Sequence, residues 1–165
     1  MRVGVLTVSD RAANGTYEDR SGPLIVEIIH RHTGWQVAKQ TVVADELDQI
    51  VQVLRDWTLA GLALILTTGG TGFSPRDVTP EATMQVVNRE APGIAEALRS
   101  ESLKITRHAM LSRARAGIRD STLIVNLPGS PKAAKEGLDI LLPVLPHALE
   151  LLSGGPITED RHQAV

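Results

Sequence analysis

Apolar residues recur along this chain in two rhythms. Short aliphatic runs, rich in β-branched residues, occupy positions 3–8, 37–43, 62–67 and 123–126. Bounded by polar residues, glycine or proline, such runs read as buried strands. Between the first three runs the spacing changes: Leu24, Ile25, Ile28 and Ile29 fall on one stripe, and Leu47, Ile50, Val51 and Leu54 on another. That is the i, i+3, i+4, i+7 interval of a helix with one buried face. Strand, helix, strand, helix, strand in succession predicts an α/β domain, a mostly parallel sheet covered by helices on both sides. Pro92-Gly93 separates two further helical stretches, residues 80–90 and 94–103. A last helix is predicted after Pro131, with Leu138, Leu141, Leu142, Leu145, Leu149 and Leu152 toward the core. Pro143 and Pro146 should bend or interrupt it, because each removes an amide donor and crowds the preceding turn.

Composition narrows this picture. A length of 165 residues suits one domain, drawn here as residues 1–153, with residues 154–165 expected as a disordered tail. Apolar residues make up 42% of the chain, but the aromatics are only Tyr17, Trp35, Trp57 and Phe73. Val, Leu, Ile and Ala must therefore fill the core, as they do where helices pack on a parallel sheet. Seventeen Lys and Arg against nineteen Asp and Glu give a net charge of -2. That offers no field to gather nucleic acid, and four aromatics make no base-stacking platform, so no nucleic-acid partner is expected. Cysteine is absent, which excludes a disulfide framework, a thiolate metal site and a thiol nucleophile. The opening apolar run is too short for a signal-peptide core, and no segment reaches the roughly 18 unbroken apolar residues of a membrane span. A cytoplasmic location with no membrane partner is expected.

Candidate chemistry collects at the strand ends. In "LTTGGTGFSPRDVTPEAT", residues 66–83, the third strand runs into Thr68, Gly69, Gly70, Thr71 and Gly72. The carboxyl edge of a parallel sheet is where α/β proteins bind ligands, and glycines let backbone amides come close to an anion. The loop is neither a dinucleotide fingerprint, which follows the first strand, nor a Walker loop, because no lysine follows its glycines. Asp77 comes five residues after Gly72, just ahead of Thr79, which can cap a helix, and Pro80, which can begin it. A capping role is the plain reading of Asp77. Asp45, in "ADELD", follows the second strand and is expected at a neighbouring strand end. Two carboxylates beside an anion-binding loop make chemical sense if Mg²⁺ joins them to phosphates. After the fourth strand, Pro128 and Gly129 turn the chain, Ser130 can cap, Pro131 can open a helix, and Lys132 adds positive charge to its amino end. Ser9 and Asp10 close the first strand. His30 and His32 lie two apart on a helix and point to different faces, which argues against a metal pair. Lys104, Arg107, Arg113, Arg115 and Arg119 read first as a solvated basic face, with contact of some of them to phosphates as the alternative.

"VGVLTVSDRAANGTYEDRSGP", "TTGGTG", "RDVTPEAT", "AMLSRARAGIR" and "LIVNLPGSPK", in this order, resemble the molybdopterin-binding MogA/MoaB family of molybdenum-cofactor biosynthesis proteins. The resemblance runs from Val3 to about Gly154. It implies a three-layer α/β/α fold and a homo-oligomer, trimer or hexamer, with other cofactor-biosynthesis proteins as further partners. The implied activity is molybdopterin adenylyltransferase: with Mg²⁺, AMP passes from ATP to the terminal phosphate of molybdopterin and pyrophosphate leaves. By the same resemblance Asp45 and Asp77 are the catalytic, metal-binding carboxylates. The loops Thr68 to Gly72 and Pro128 to Lys132 would hold pterin and phosphates, with Ser9, Asp10 and Ser112 nearby. In length the chain resembles the shorter MoaB-like branch, some members of which bind pterin without evident activity. A non-catalytic molybdopterin carrier is therefore the second reading, and the presence of both aspartates favours the enzyme.

Overall fold

The computed structural model describes residues 1–154; the tail expected from residue 154 lies, beyond Gly154, outside the described residues. Among the described residues six strands form one sheet: β1 (Arg2–Val8), β2 (Gln36–Val43), β3 (Leu64–Thr68), β4 (Arg89–Glu90), β5 (Ala116–Arg119) and β6 (Thr122–Leu127). Their order is β2-β1-β3-β6-β5-β4. The first four in that order are parallel, β5 runs antiparallel to β6, and β4 antiparallel to β5. The helices are α1 (Asp10–Ala13), α2 (Ser21–Thr33), α3 (Leu47–Leu59), α4 (Thr79–Val86), α5 (Pro92–Leu103), α6 (Pro131–Leu141) and α7 (Leu145–Leu152), with a 3₁₀ turn at Arg107–Leu111.

Successive strand residues face opposite sides, and this parity builds the three layers. Val3, Val5, Leu64, Leu66, Leu123 and Val125 pack with Ile25 and Ile29 of α2 and Leu138 of α6. On the other face Leu6, Val8, Ile65 and Ile124 meet Ile50 and Leu54 of α3 and Val86 of α4. The predicted helical stripes of α2 and α3 thus lie on opposite faces. Fully burying each such side chain is worth about 1.5–3 kcal/mol, so these two clusters hold the layers together.

The chain leaves β1 through α2 to reach β2 at the sheet's border, then returns through α3 to place β3 on the other side of β1. The direction of winding therefore reverses between β1 and β3. At such a point the strand ends part and leave a crevice.

The structure corrects several expectations. The helix predicted over residues 80–90 ends at Val86, because Val87 turns extended and leads into β4. Two adjacent valines have little reason to stay helical. β5 arises within the stretch read as a basic face, joined to β6 by a tight turn in which Asp120 takes φ 54°, a conformation aspartate tolerates. Asp45 and Asp77 do not follow neighbouring strands, since β1 separates β2 from β3. The final helical stretch is broken as predicted, with Pro143 in the break and Pro146 in the first turn of α7.

Candidate active site

Four strand ends meet at one cavity of about 610 Å³. Ser9 and Asp10 arrive from β1, Asp45 from β2, and Thr68, Gly69, Gly70 and Asp77 from β3 and its loop. Gly129, Ser130 and Pro131 complete the lining from β6.

The glycine loop is shaped by main-chain needs. Gly69 and Gly70 have φ of 97° and 62°, the left-handed region that glycine enters without steric cost. A Cβ on Gly69 would stand 2.2 Å from the Val8 carbonyl oxygen, and one on Gly70 would stand 2.4 Å from Thr79 Oγ1 and 2.8 Å from Asp45 Oδ1. The loop is tied to its neighbour by backbone groups. The Thr68 hydroxyl donates to the Pro128 carbonyl at 2.7 Å, and the Gly69 amide donates to that of Leu127 at 3.3 Å. Thr79 does not serve as the cap of α4 that its place in the sequence suggests. Val78 holds the cap position, and Thr79 donates its hydroxyl to the Gly69 carbonyl (2.9 Å) and its amide to that of Gly70 (3.0 Å).

Asp10 and Asp45 exchange backbone bonds. The Asp10 amide donates to Asp45 Oδ2 at 2.8 Å, and the Asp45 amide to Asp10 Oδ1 at 3.0 Å. The Arg76 guanidinium and the Asp45 amide hold the Asp10 carboxyl below the ordinary aspartate value. Asp45 moves the other way. Partial burial pushes its carboxyl up, the Asp10 amide opposes this, and the charges of Asp10 and Asp77 push it further up. Asp77 accepts the Ser74 amide through Oδ2 at 3.0 Å. Its carboxylate closes its own loop and does not cap α4, which has no side-chain cap bond.

Oδ1 of Asp45 and Oδ1 of Asp77 have no hydrogen-bond donor among the described residues. Two carboxylates so placed that the charge of Asp77 reaches Asp45, each with an oxygen to offer, fit a hard divalent cation in their donor chemistry. Among the described residues no group of three or more His, Asp or Glu is arranged to hold a metal, so the pair would need ligand oxygens to complete a shell. His30 and His32 are exposed on α2, away from this cavity.

Thr71, Gly72, Pro128 and Ser112 line a second, more apolar cavity of about 280 Å³, closed by Leu98 and Leu111. Lys132 lines neither cavity; its ammonium lies 3.9 Å from Glu136. Apart from Lys132, the candidate substrate-binding and acidic residues are thus shared between the two faces of one glycine loop.

Sequence reasoning missed the roles of Asp19 and Arg113. Asp19 accepts the Ser21 and Gly22 amides, each at 3.0 Å, and the Thr7 hydroxyl at 2.7 Å, fixing the start of α2 at the cavity wall. An aspartate two residues ahead of Ser-Gly-Pro was a signal for this. Arg113, read as part of a solvated face, clasps the glycine loop from behind. Its guanidinium donates to the carbonyls of Gly72 (2.7 Å) and Asp77 (2.6 Å) and pairs with Glu81, while its amide donates to the Thr71 carbonyl at 2.9 Å.

A family model described as "Probable molybdopterin binding domain" matches residues 4–147. The chain is 42% identical over 156 residues to the molybdopterin adenylyltransferase of Helicobacter pylori strain J99, covering 93% of this chain and 89% of that protein. It is 50% identical over 163 residues to gephyrin of Dictyostelium discoideum, covering 93% of this chain but 23% of gephyrin. It likewise spans 25% of the Drosophila melanogaster molybdenum cofactor synthesis protein cinnamon. Among solved structures, the molybdopterin biosynthesis enzyme MoaB of Thermus thermophilus superposes with a TM-score of 0.88 at 51% identity, covering 95% of this chain and 99% of that one.

Proposed function

Because the chain belongs to the molybdopterin-binding family of molybdenum-cofactor biosynthesis proteins, we propose that it transfers AMP from ATP to the terminal phosphate of molybdopterin. The observation that carries this reading is the convergence of Asp45 and Asp77, from strand ends on either side of β1, on a glycine loop within one cavity. Transfer at phosphorus asks for positioning and charge neutralisation more than for a protein nucleophile. Amides of residues 70–72 and the amino end of α6, capped by Ser130 through the Ala133 amide, supply positive ends for phosphate oxygens. Asp45 and Asp77 would hold Mg²⁺, which when bound neutralises phosphate charge. Ser9 and Asp10 shape the β1 side of the cavity, and the 280 Å³ cavity behind the loop offers an apolar wall to a flat heterocycle.

Length does not set this chain apart from enzymes, since the Helicobacter pylori adenylyltransferase is matched over 89% of its own length. The proposal includes a cytoplasmic setting, in keeping with the lack of cysteine and with the described residues forming no helix long and apolar enough to cross a membrane. It also includes a homo-oligomer, trimer or hexamer. Exposed Ile105, Met110 and Leu111, around the 3₁₀ turn, offer apolar area for a subunit contact.

The test is pyrophosphate release by the purified protein given ATP, Mg²⁺ and molybdopterin. Asp77→Asn keeps the shape and removes the charge. It should slow transfer by about 100-fold, roughly 3 kcal/mol of transition-state stabilisation, while pterin affinity changes less than about tenfold. No release by the parent protein would leave the carrier reading standing.

A further inference from the structure

Five carboxylates crowd the mouth of the larger cavity or its edge: Asp10, Asp19, Asp45, Glu46 and Asp77. Left to themselves, so many like charges would repel one another or gather indiscriminately around any cation. They are divided instead. Asp19 is engaged through both oxygens by a hydroxyl and two amides. Arg76 takes Asp10 in a two-pronged grip, Nε to Oδ2 at 3.0 Å and Nη2 to Oδ1 at 2.9 Å, and extends Nη2 to Glu46 Oε1 at 2.6 Å. Of the five, Asp45 and Asp77 receive only single amide bonds on their carboxylates. Arg76 immediately precedes Asp77, so the residue that claims two carboxylates also sets where a third one stands.

We propose that Arg76 is a positioning residue that divides these acids into two sets, keeping Asp10 and Glu46 as its own partners so that only Asp45 and Asp77 remain for a divalent cation. This rests on the reading of Asp45 and Asp77 as cation ligands given above. A planar guanidinium suits the task because it grips a carboxylate through two parallel bonds and keeps its charge at every working pH. Asp10 is the acid most in need of restraint. Its amide is already bonded to Asp45, so its released carboxylate would be next in reach to join the pair. A cation held by an extra carboxylate is bound more tightly and has less need of ligand oxygens from a nucleotide. The arginine therefore keeps the protein on its own a poor chelator and leaves coordination to be completed by substrate.

Mn²⁺ titration of the purified protein without nucleotide or pterin, followed by the electron paramagnetic resonance of unbound Mn²⁺, tests the idea. Arg76→Met should bind Mn²⁺ about tenfold more tightly than the parent. Arg76→Lys, which keeps the charge, should stay within about threefold of it. Adding Asp10→Asn to Arg76→Met should return the affinity to the parent's, because the asparagine can still accept the Asp45 amide but offers no second charge. Unchanged or weaker Mn²⁺ binding in Arg76→Met would mean that the arginine only clasps the loop. Tighter binding that survives in the double variant would mean that overall charge, and not Asp10, is responsible. Absence of Mn²⁺ binding in every variant would also overturn the proposal. Should Arg76→Met fail to fold, Arg76→Gln takes its place. None of these readings uses ATP, so a protein that behaves as proposed here yet releases no pyrophosphate would refute the activity and not the partition.

Discussion

Asp10 and Asp45 carry the same side chain, bond to one another's amides, and are pushed in opposite directions by their surroundings. Asp10 has a cation beside it, whereas Asp45 is half-buried among negative charges. The native state therefore binds a proton at Asp45 more readily than the unfolded chain does. Between the ordinary aspartate value of about 4 and the raised one, stability falls as pH rises, and it stays lower above that window. An asparagine in place of Asp45 can still accept the Asp10 amide but carries no charge. Asp45→Asn should therefore melt above the parent protein at pH 7 in metal-free buffer, with the gap closing as the pH falls below about 4, while transfer activity is lost. A lower melting temperature for the variant at pH 7 would refute the claim that Asp45 is kept ionised at a cost to the fold. The candidate residues at the strand ends were legible because glycine, aspartate and proline stand out after an aliphatic run. Arg113 was not, because a donor that serves carbonyls many residues away looks in sequence like any other surface arginine.

At the level of elements, the edge of the sheet that forms the cavity depends on a segment with little regular structure of its own. Residues 112–115 lead from the 3₁₀ turn into β5, and Arg113 there joins the carbonyls of Gly72 and Asp77 to Glu81 of α4. Arg113→Met keeps much of the side chain's length and removes every one of these guanidinium donors. Hydrogen bonds from charged groups are worth about 1.5–3 kcal/mol each in favourable settings. Partial exposure of this arginine reduces that, so a loss of about 2 kcal/mol is expected. Hydrogen exchange should quicken over residues 71–77 while the amides of β1 and β3 stay protected; uniform quickening across the sheet would contradict this local role. The long periodic elements could be read from the sequence because burial imposes a rhythm of two or of about 3.6 residues. β4 and β5 could not, since two and four residues are too few to show a period, and α1 is a single turn held by Ser9. Strand order is absent from spacing altogether, which is why the sequence alone puts Asp45 and Asp77 on adjacent strands.

Across the whole molecule, apolar surface is unevenly left over. Leu103, Ile105, Met110 and Leu111 are 41%, 56%, 67% and 45% exposed between the end of α5 and the 3₁₀ turn, close to the second cavity, which Leu111 lines. Multi-angle light scattering at micromolar concentration should give three or six times the mass of the chain, and replacing Met110 and Leu111 together by Asp should reduce it. A parent protein that elutes as a monomer would sink the oligomer proposal.

The sheet order has a consequence for how this molecule is made. β6 lies beside β3 at the middle of the sheet, yet it is the last of these strands to leave the ribosome. Until it emerges, β3 has an unpaired edge, the β5 hairpin has nothing to fold back upon, and neither the glycine loop nor Thr68 has the carbonyls of Leu127 and Pro128 to bond. Pairing of distant parallel strands is slow because a long loop must close before any contact rewards it. The nascent chain therefore carries an open, aliphatic strand border from the emergence of β3 until that of β6, a state prone to association with other chains. Completion of the sheet waits on β6, so a chain interrupted before Leu127 lacks both the Leu127 and Pro128 carbonyls that tie the glycine loop and the cavity wall of Gly129, Ser130 and Pro131.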